Sequence, residues 1–427
     1  KDALGRIPNL PEWISPALMK KYCWPDFATA LRIAHTPKLI DDISPTSPAR
    51  ARLAYDELLA NQLALRLVRQ NAAESIPGRA YIGDGKITNK LESALTYDLT
   101  NAQKHAISEI TADQAAPRRM LRMLQGDVGA GKTLVALWAM LTTVEAGAQA
   151  ALLAPTEVLA RQHHAIISAL LGPLGINVGL LLGQGRTNGA TTDMINLDNN
   201  NASVGRKQVL AALANGNLSL VVGTHALLSE AVSFHDLGLA VVDEQHRFGV
   251  RQRLLLGQKG INVDLMVMTA TPIPRSLAMT AYGDLDHSRL DEKPFGRLPI
   301  DTRVVASDRL AEVFEGLRRA LGAGKRAYWI CPLVEESDKL DIAAAEDRFA
   351  ALSRALPEIT VVLAHGKMKA AERDAAMQAF RDGSASLLVA TTVVEVGVDV
   401  PEASIIVIEH AERFGLAQLH QLRGRVG

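Results

Sequence analysis

Two short stretches hold residue types at spacings that can do chemistry. "GDVGAGKT" (126–133) fits the pattern G-x-x-x-x-G-K-[ST] in full. Gly126, Gly129 and Gly131, with the intervening Asp127, Val128 and Ala130, form a loop whose backbone N–H groups can approach phosphate oxygens. Lys132 is placed to reach the β- and γ-phosphates, and Thr133 to hold Mg²⁺. "VVDEQH" (241–246) adds two adjacent acids after a wholly apolar run. Neighbouring strand residues point to opposite sides, so the two cannot share one task. The economical division puts Asp243 on Mg²⁺ and Glu244 on the attacking water, which it orients or deprotonates. In isolation two acids at a strand end are a solvated pair; beside a phosphate loop they are half of a nucleotide site.

Such residues need strands that end in a crevice and helices that start there. "RMLQ" (122–125), "AALLAP" (150–155), "LSLVVGTH" (218–225), "LGLAVVDE" (237–244) and "LMVMTAT" (265–271) are short apolar runs separated by helical segments. That texture predicts strands buried on both faces of a parallel α/β sheet. After "EKPFGRLP" (292–299) a second set follows: "AYWICPL", "VVLAHG", "SLLVATT" and "SIIVIEH". The expectation is two α/β lobes, 97–294 and 295–427, preceded by a mostly helical connector over 1–96. Within the connector, "TPKLIDDISPTSPAR" (36–50) is a proline-broken linker. Leu53, Leu59, Leu63 and Leu67 recur near helical period and predict a packing helix over 51–70. Residues 183–205 are rich in Asn, Gly and Thr without apolar period, and are expected to be a mobile surface insertion.

Composition excludes little but bounds much. The 427 residues are 48% hydrophobic and 22% charged, with a formal charge of zero, so nucleic-acid binding has to come from local clusters. The two cysteines, Cys23 and Cys331, are far apart, which fits a reducing cytoplasm and offers no metal-ligand spacing. No apolar run approaches a membrane span, and no membrane partner is expected. Aromatics are 4% of residues, thin for a protein that grips single strands by stacking bases on aromatic platforms.

With "DEQH" and the "TAT" of 269–271 on the page, the chain resembles the superfamily 2 helicases from about residue 97 onward, in seven spaced boxes. The resemblance implies two RecA-like lobes with ATP and Mg²⁺ between them. Gln103, in "DLTNAQKHAI", resembles an adenine-reading glutamine. "APTEVLARQ" (154–162, with Thr156) and "VVGTHALL" (221–228, with Thr224 and His225) resemble strand-end loops that grip a DNA backbone. In the second lobe "AHGKM" (364–368, with His365), "ATTVVEVGVDVP" (390–401) and "QLHQLRGRVG" (418–427) resemble the matching boxes. There Thr391 and Thr392 are assigned to DNA and Asp399 to the nucleotide side. "DEQHRFGVRQR" and "MTATPIPRSLAMTAYGDLD" narrow the likeness to the RecG group of bacterial branched-DNA helicases. That group regresses stalled forks and migrates four-way junctions in recombination and repair.

"QLRGRVG" (421–427) is too polar for a core strand and too glycine-rich for a stable helix, so it is either a loose tail or part of a site. It resembles the box Q-x-x-G-R-x-G-R, one residue short of its last arginine. In the resemblance that last arginine is the finger that reaches across the cleft to the γ-phosphate and adds about 10³–10⁵ in rate; Arg425 is expected to contact the phosphates across the same cleft, and Arg423 to be structural or DNA-facing. The resemblance further places an N-terminal wedge domain ahead of Lys1 and more chain after Gly427. His246 is expected to relay nucleotide state between Glu244 and the loop of Thr269 and Thr271. Arg161, Arg247, Arg251 and Lys367 are candidate backbone contacts. Forked or four-way DNA, single-strand-binding protein, a monomeric state and a nucleoid-associated cytoplasmic setting are the implied context. Rival readings are a Mfd-like or PriA-like translocase, a nucleotide- and DNA-binding module with little turnover, and a protein-translocating ATPase.

Overall fold

The computed structural model describes residues 2–8, 10–75, 78–183, 195–196, 203–243, 259–260, 262–270, 285–292, 300–332, 338–366, 368–391, 400 and 402–426. The chain divides into two compact units, Lys1–Ser75 with Ile273–Leu285, and Ile76–Pro272 with Asp286–Gly427. Among the described residues no helix is long and apolar enough to cross a membrane.

The first unit is helical. Helix α1 (Phe27–His35) is capped by Asp26, whose carboxylate accepts from the Thr29 backbone N–H at 2.9 Å and the Thr29 hydroxyl at 2.7 Å. Helix α2 (Pro48–Ser75) covers the stretch whose leucines predicted it. Its packing differs from that prediction. Leu63 and Leu67 are 52% and 60% exposed, whereas Arg52 is fully buried. The Arg52 guanidinium donates to both oxygens of Glu12 (3.0 and 2.9 Å), to Asp56 (2.9 Å) and to the Pro25 carbonyl (3.2 Å). The Trp13 indole completes the cage by donating to Asp56 at 2.8 Å. A polar side chain at this depth is tolerated because its donors are met.

In the second unit, residues 76–96, grouped with the connector by sequence, pack against the larger body. Helix α3 (Lys86–Ala94) has no side-chain cap of its own. Glu145 supplies one from a distance, accepting from Ile87 N (2.6 Å), Thr88 N (2.8 Å) and Gly85 N (3.0 Å). Helix α4 (Asn101–Ala115) starts at a capping box between Thr100 and Gln103.

The described residues form a seven-stranded parallel sheet in this unit. Its strands are β1 (Leu121–Gly126), β2 (Gln149–Leu153), β3 (Val178–Leu181), β4 (Leu220–Gly223), β5 (Leu237–Asp243), β6 (Asp264–Thr269) and β7 (Asp286–Leu290). Their order is β3-β4-β2-β5-β6-β1-β7. Strands β2 to β6 are buried end to end, as two-sided cover requires. Strand β7 is the polar exception. Ser288 is buried there, accepting from Arg122 at 2.7 Å and donating to Glu109 at 2.5 Å, while Arg122 also holds Asp113 at 2.6 Å. Of the 183–205 segment, Ile195–Asn196 pairs antiparallel with Ser203–Val204.

A second parallel sheet contains β8 (Arg326–Ile330), β9 (Val361–Ala364), β10 (Leu387–Ala390) and β11 (Ala403–Ile408), ordered β9-β10-β8-β11. Alternating residues serve its two faces: Tyr328 and Leu388 pack with Phe380, while Trp329 and Val389 pack with Leu317 and Leu352. The two lobes and helical first unit agree with the fold expected from sequence. The closing segment is packed rather than a loose tail: helix α7 (Leu416–Arg423) takes in its first three residues and ends at Gly424, and Leu422 and Val426 are buried in the second-lobe core.

Candidate active site

Every strand of a parallel sheet ends on the same edge, so the ends of β1, β5 and β6 lie side by side. Register sharpens this. Asp243 on β5 pairs with Met268 on β6, and Met268 pairs with Leu124 on β1. One strand separates β5 from β1, so the carboxylate sits about 10 Å from the strand that feeds the phosphate loop. That gap suits a polyphosphate with its cation.

The loop itself is built for close approach. Gly131 has φ +84° and Gly129 φ +77°, both left-handed, and Gly131 leads directly into helix α5 (Lys132–Glu145). At Gly126 a Cβ would lie 2.9 Å from the Leu290 Cβ, so a larger residue would collide with the edge strand. The Lys132 ammonium donates to the carbonyls of Gly126 (2.7 Å) and Asp127 (2.9 Å). It is folded over the loop that phosphates would fill, and an incoming anion competes for those protons. Gln103 is 2% exposed; its amide donates to the Ala130 carbonyl at 2.9 Å and accepts from Thr100 N at 3.0 Å. Here it braces the loop from beneath, and reading an adenine would require it to release Ala130.

Asp243 is buried, and its Oδ2 lies 2.7 Å from Nε2 of His163 on helix α6 (Glu157–Leu171). Sequence reasoning missed His163. Its only signal was a histidine seven residues after Thr156, directly after one of the boxes. Thr269 ends β6 buried and paired with Gln125. Thr133 follows Lys132 in the first turn of α5 and is half-buried. Glu244, His246, Thr271, Thr392 and Asp399 lie outside the described residues, as do Arg247, Arg251 and Lys367.

The second-lobe segment meets the loop directly. His420 Nε2 is 3.2 Å from Asp127 Oδ1, and a Cβ on Gly424 would come within 2.6 Å of the Val128 Cβ. Helix α7 and the turn after it therefore rest on the phosphate loop. Arg425 is half-buried beside that contact, with its backbone N–H donating to the Leu422 carbonyl at 3.0 Å, while Arg423 is exposed. His420 was also missed by sequence, which looked only at the arginines.

The strand-end candidates divide. Thr156 is half-buried and caps α6, accepting from Leu159 N at a long 3.4 Å. Thr224 and Thr391 are 1% exposed, and among the described residues neither hydroxyl has a hydrogen-bond partner. His365 is buried, with Nε2 3.7 Å from Glu346 and Nδ1 without a partner among the described residues. His225 is exposed.

Family models agree with this layout: a DEAD/DEAH box helicase model matches residues 100–280, and a helicase conserved C-terminal domain matches 312–427. An ATP-dependent DNA helicase RecG from Acidithiobacillus ferridurans is 48% identical over the whole chain, which covers 59% of that protein. This chain belongs to the RecG family. The RecG of Escherichia coli K12 is 45% identical over 93% of the chain and 56% of its own length. A solved RecG bound to a three-way DNA junction superposes with a TM-score of 0.72 at 39% identity, covering 98% of this chain and 53% of that one. The chain thus spans little more than half the length of the RecG proteins it matches.

Proposed function

We propose that this chain is the ATP-hydrolysing motor of a branched-DNA helicase. The observation that carries the reading is the meeting of three parts at one loop. They are the phosphate loop 126–133, Asp243 two strands away, and the arginine-bearing turn of the second lobe lying on Asp127 and Val128. The names of the similar RecG proteins support DNA as the track, and the solved relative's three-way junction supports branched DNA.

The chain's own residues divide the work as follows. Backbone N–H groups of 127–132 and the start of α5 hold the phosphates. Lys132 leaves the carbonyls of Gly126 and Asp127 for the β- and γ-oxygens. Thr133 and Asp243 would hold Mg²⁺, which would offset charge on the phosphates. Glu244 directs the water, and Arg425 faces the charge that develops on the transferred phosphoryl group. Asp399 serves the nucleotide from the second lobe, and His246 with Thr269 and Thr271 relays its state. Thr156, Thr224, His225, His365, Thr391 and Thr392 line the strand ends toward the DNA backbone. The hydroxyls of Thr224 and Thr391, without a partner among the described residues, support this, because a phosphate would meet a donor that is unmet there. Because both lobes hold DNA, ATP-driven closing and reopening steps the motor along the duplex. A monomer acting in the cytoplasm at the nucleoid, with single-strand-binding protein nearby, fits this reading.

The test is ATP turnover by the chain alone, with linear duplex, and with a three-way junction. Turnover should rise with DNA, most with the junction, and vanish in Lys132→Ala. Turnover indifferent to DNA would remove the motor reading and favour a nucleotide-binding module.

A further inference from the structure

We infer that His163 is the positioning residue for Asp243, and that it ties the nucleotide site to the DNA-facing start of helix α6. The inference deepens the motor reading and rests on it.

The contact is short, buried and specific. His163 Nε2 and Asp243 Oδ2 are 2.7 Å apart, and both side chains are about one-tenth exposed. An ionised carboxylate only accepts, so Nε2 is the donor in this contact. Among the described residues, Nδ1 is buried without a partner, so the contact with Asp243 is the ring's one hydrogen bond there. The neighbouring His164 serves a different purpose. Its Nε2 donates to the Val178 carbonyl at 2.9 Å, pinning α6 to β3, and burial pushes its pKa down. One helix thus sends two adjacent histidines to different tasks, one structural and one aimed at the acid of the site.

Holding Oδ2 at 2.7 Å fixes how the Asp243 carboxylate is turned at the end of β5. Groups that hydrogen-bond a ligating carboxylate commonly change metal affinity by about 10–100-fold when removed. Helix geometry supplies the second half of the inference. Thr156 caps α6 and His163 lies seven residues on, two turns along the same face. A phosphate drawn to the first turn of α6 therefore acts on the same rigid element that holds Asp243.

The test is binding of a fluorescent ADP analogue to the chain across a Mg²⁺ series, with and without duplex DNA. In His163→Ala the Mg²⁺ concentration for half-maximal binding should rise about 10–100-fold. Affinity for metal-free nucleotide should be unchanged, and DNA should no longer shift the Mg²⁺ curve. His163→Gln should recover most of the loss, because its Nε2 lies the same number of bonds from Cβ as the histidine Nε2. A histidine that only packs would lower thermal stability in both variants and leave the Mg²⁺ curves superimposed, which overturns the inference. A glutamine variant as impaired as alanine also overturns it. If the unaltered chain binds nucleotide with no response to Mg²⁺, the nucleotide-site reading itself falls, and this inference with it.

Discussion

Gly131→Ala offers the sharpest test of how the phosphate loop is built. Gly131 sits at φ +84°, and its added Cβ would overlap Nε2 of Gln103. Adopting the left-handed backbone costs an L-residue about 1–2 kcal/mol. Gln103 cannot step aside freely, because its amide is fixed at both ends by Ala130 and Thr100. Each buried bond it gives up costs about 1–3 kcal/mol, so displacing it wholly brings the total to roughly 3–8 kcal/mol. In a Gln103→Ala background the obstruction is gone, and Gly131→Ala should cost only the backbone share of about 1–2 kcal/mol. The assay is urea unfolding without nucleotide, followed by hydrogen exchange at the amides of Leu121–Gly126, for the two single variants and the double. The expected coupling is about 2–6 kcal/mol, far outside the roughly 0.5 kcal/mol of additive sites. Additive penalties would mean that Gln103 does not brace the loop, and the reasoning would be wrong.

Two further outcomes follow from buried charges elsewhere. Burial pushes the Asp264 carboxyl from 3.8 up to about 8, although the Met120 N–H donates to it at 2.7 Å. A raised folded-state pKa stabilises most at low pH and loses that contribution as pH climbs from about 4 through 8, on the order of several kcal/mol. Asp264→Asn keeps the acceptor for Met120 and removes the titration. Urea midpoints at pH 6 and 9 should show the variant gaining on the parent at the higher pH, and equal pH slopes would count against this. In the first unit, Arg52→Met strands Glu12 and Asp56 and should cost about 3–5 kcal/mol. Hydrogen exchange across Phe27–His35 and the first turns of α2 reads that loss; unchanged protection would show that the cage is not structural.

Much of the architecture was legible because it repeats simple patterns. Strands β1, β2, β4, β5 and β6 announced themselves as continuous apolar runs, and the phosphate loop and Asp243 as motifs tied to strand ends. What escaped notice was polar or relational. Strand β7 reads "DHSRL", with no apolar period, because Ser288 is buried by the Arg122 and Glu109 network rather than by hydrophobic transfer. Strand β3 was hidden within the approach to the Asn-rich segment. Helix α2 was found by its leucines, yet the side chain it buries is Arg52, whose partners Glu12 and Pro25 lie 40 and 27 residues away. His163 and His420 escaped for the same reason: each acts through a residue far off in sequence, Asp243 and Asp127. A motif names groups that touch a ligand; it is silent about the groups that aim them.

The polar edge strand also governs which pairings the chain can make. On β7, Ser288 lies opposite Leu124, and Leu290 opposite Gly126. A slip of one residue would bring His287 or Arg289 to the place of Ser288, setting a second basic group against the buried Arg122 guanidinium. The same slip would put Arg289 or Asp291 where Leu290 now touches the first glycine of the phosphate loop. An apolar β7 would tolerate several alignments with similar burial, whereas this one rejects its near neighbours by charge. The composition that concealed the strand from pattern reading is thus a proofreading device, admitting only the alignment in which the loop beside it has room for phosphate.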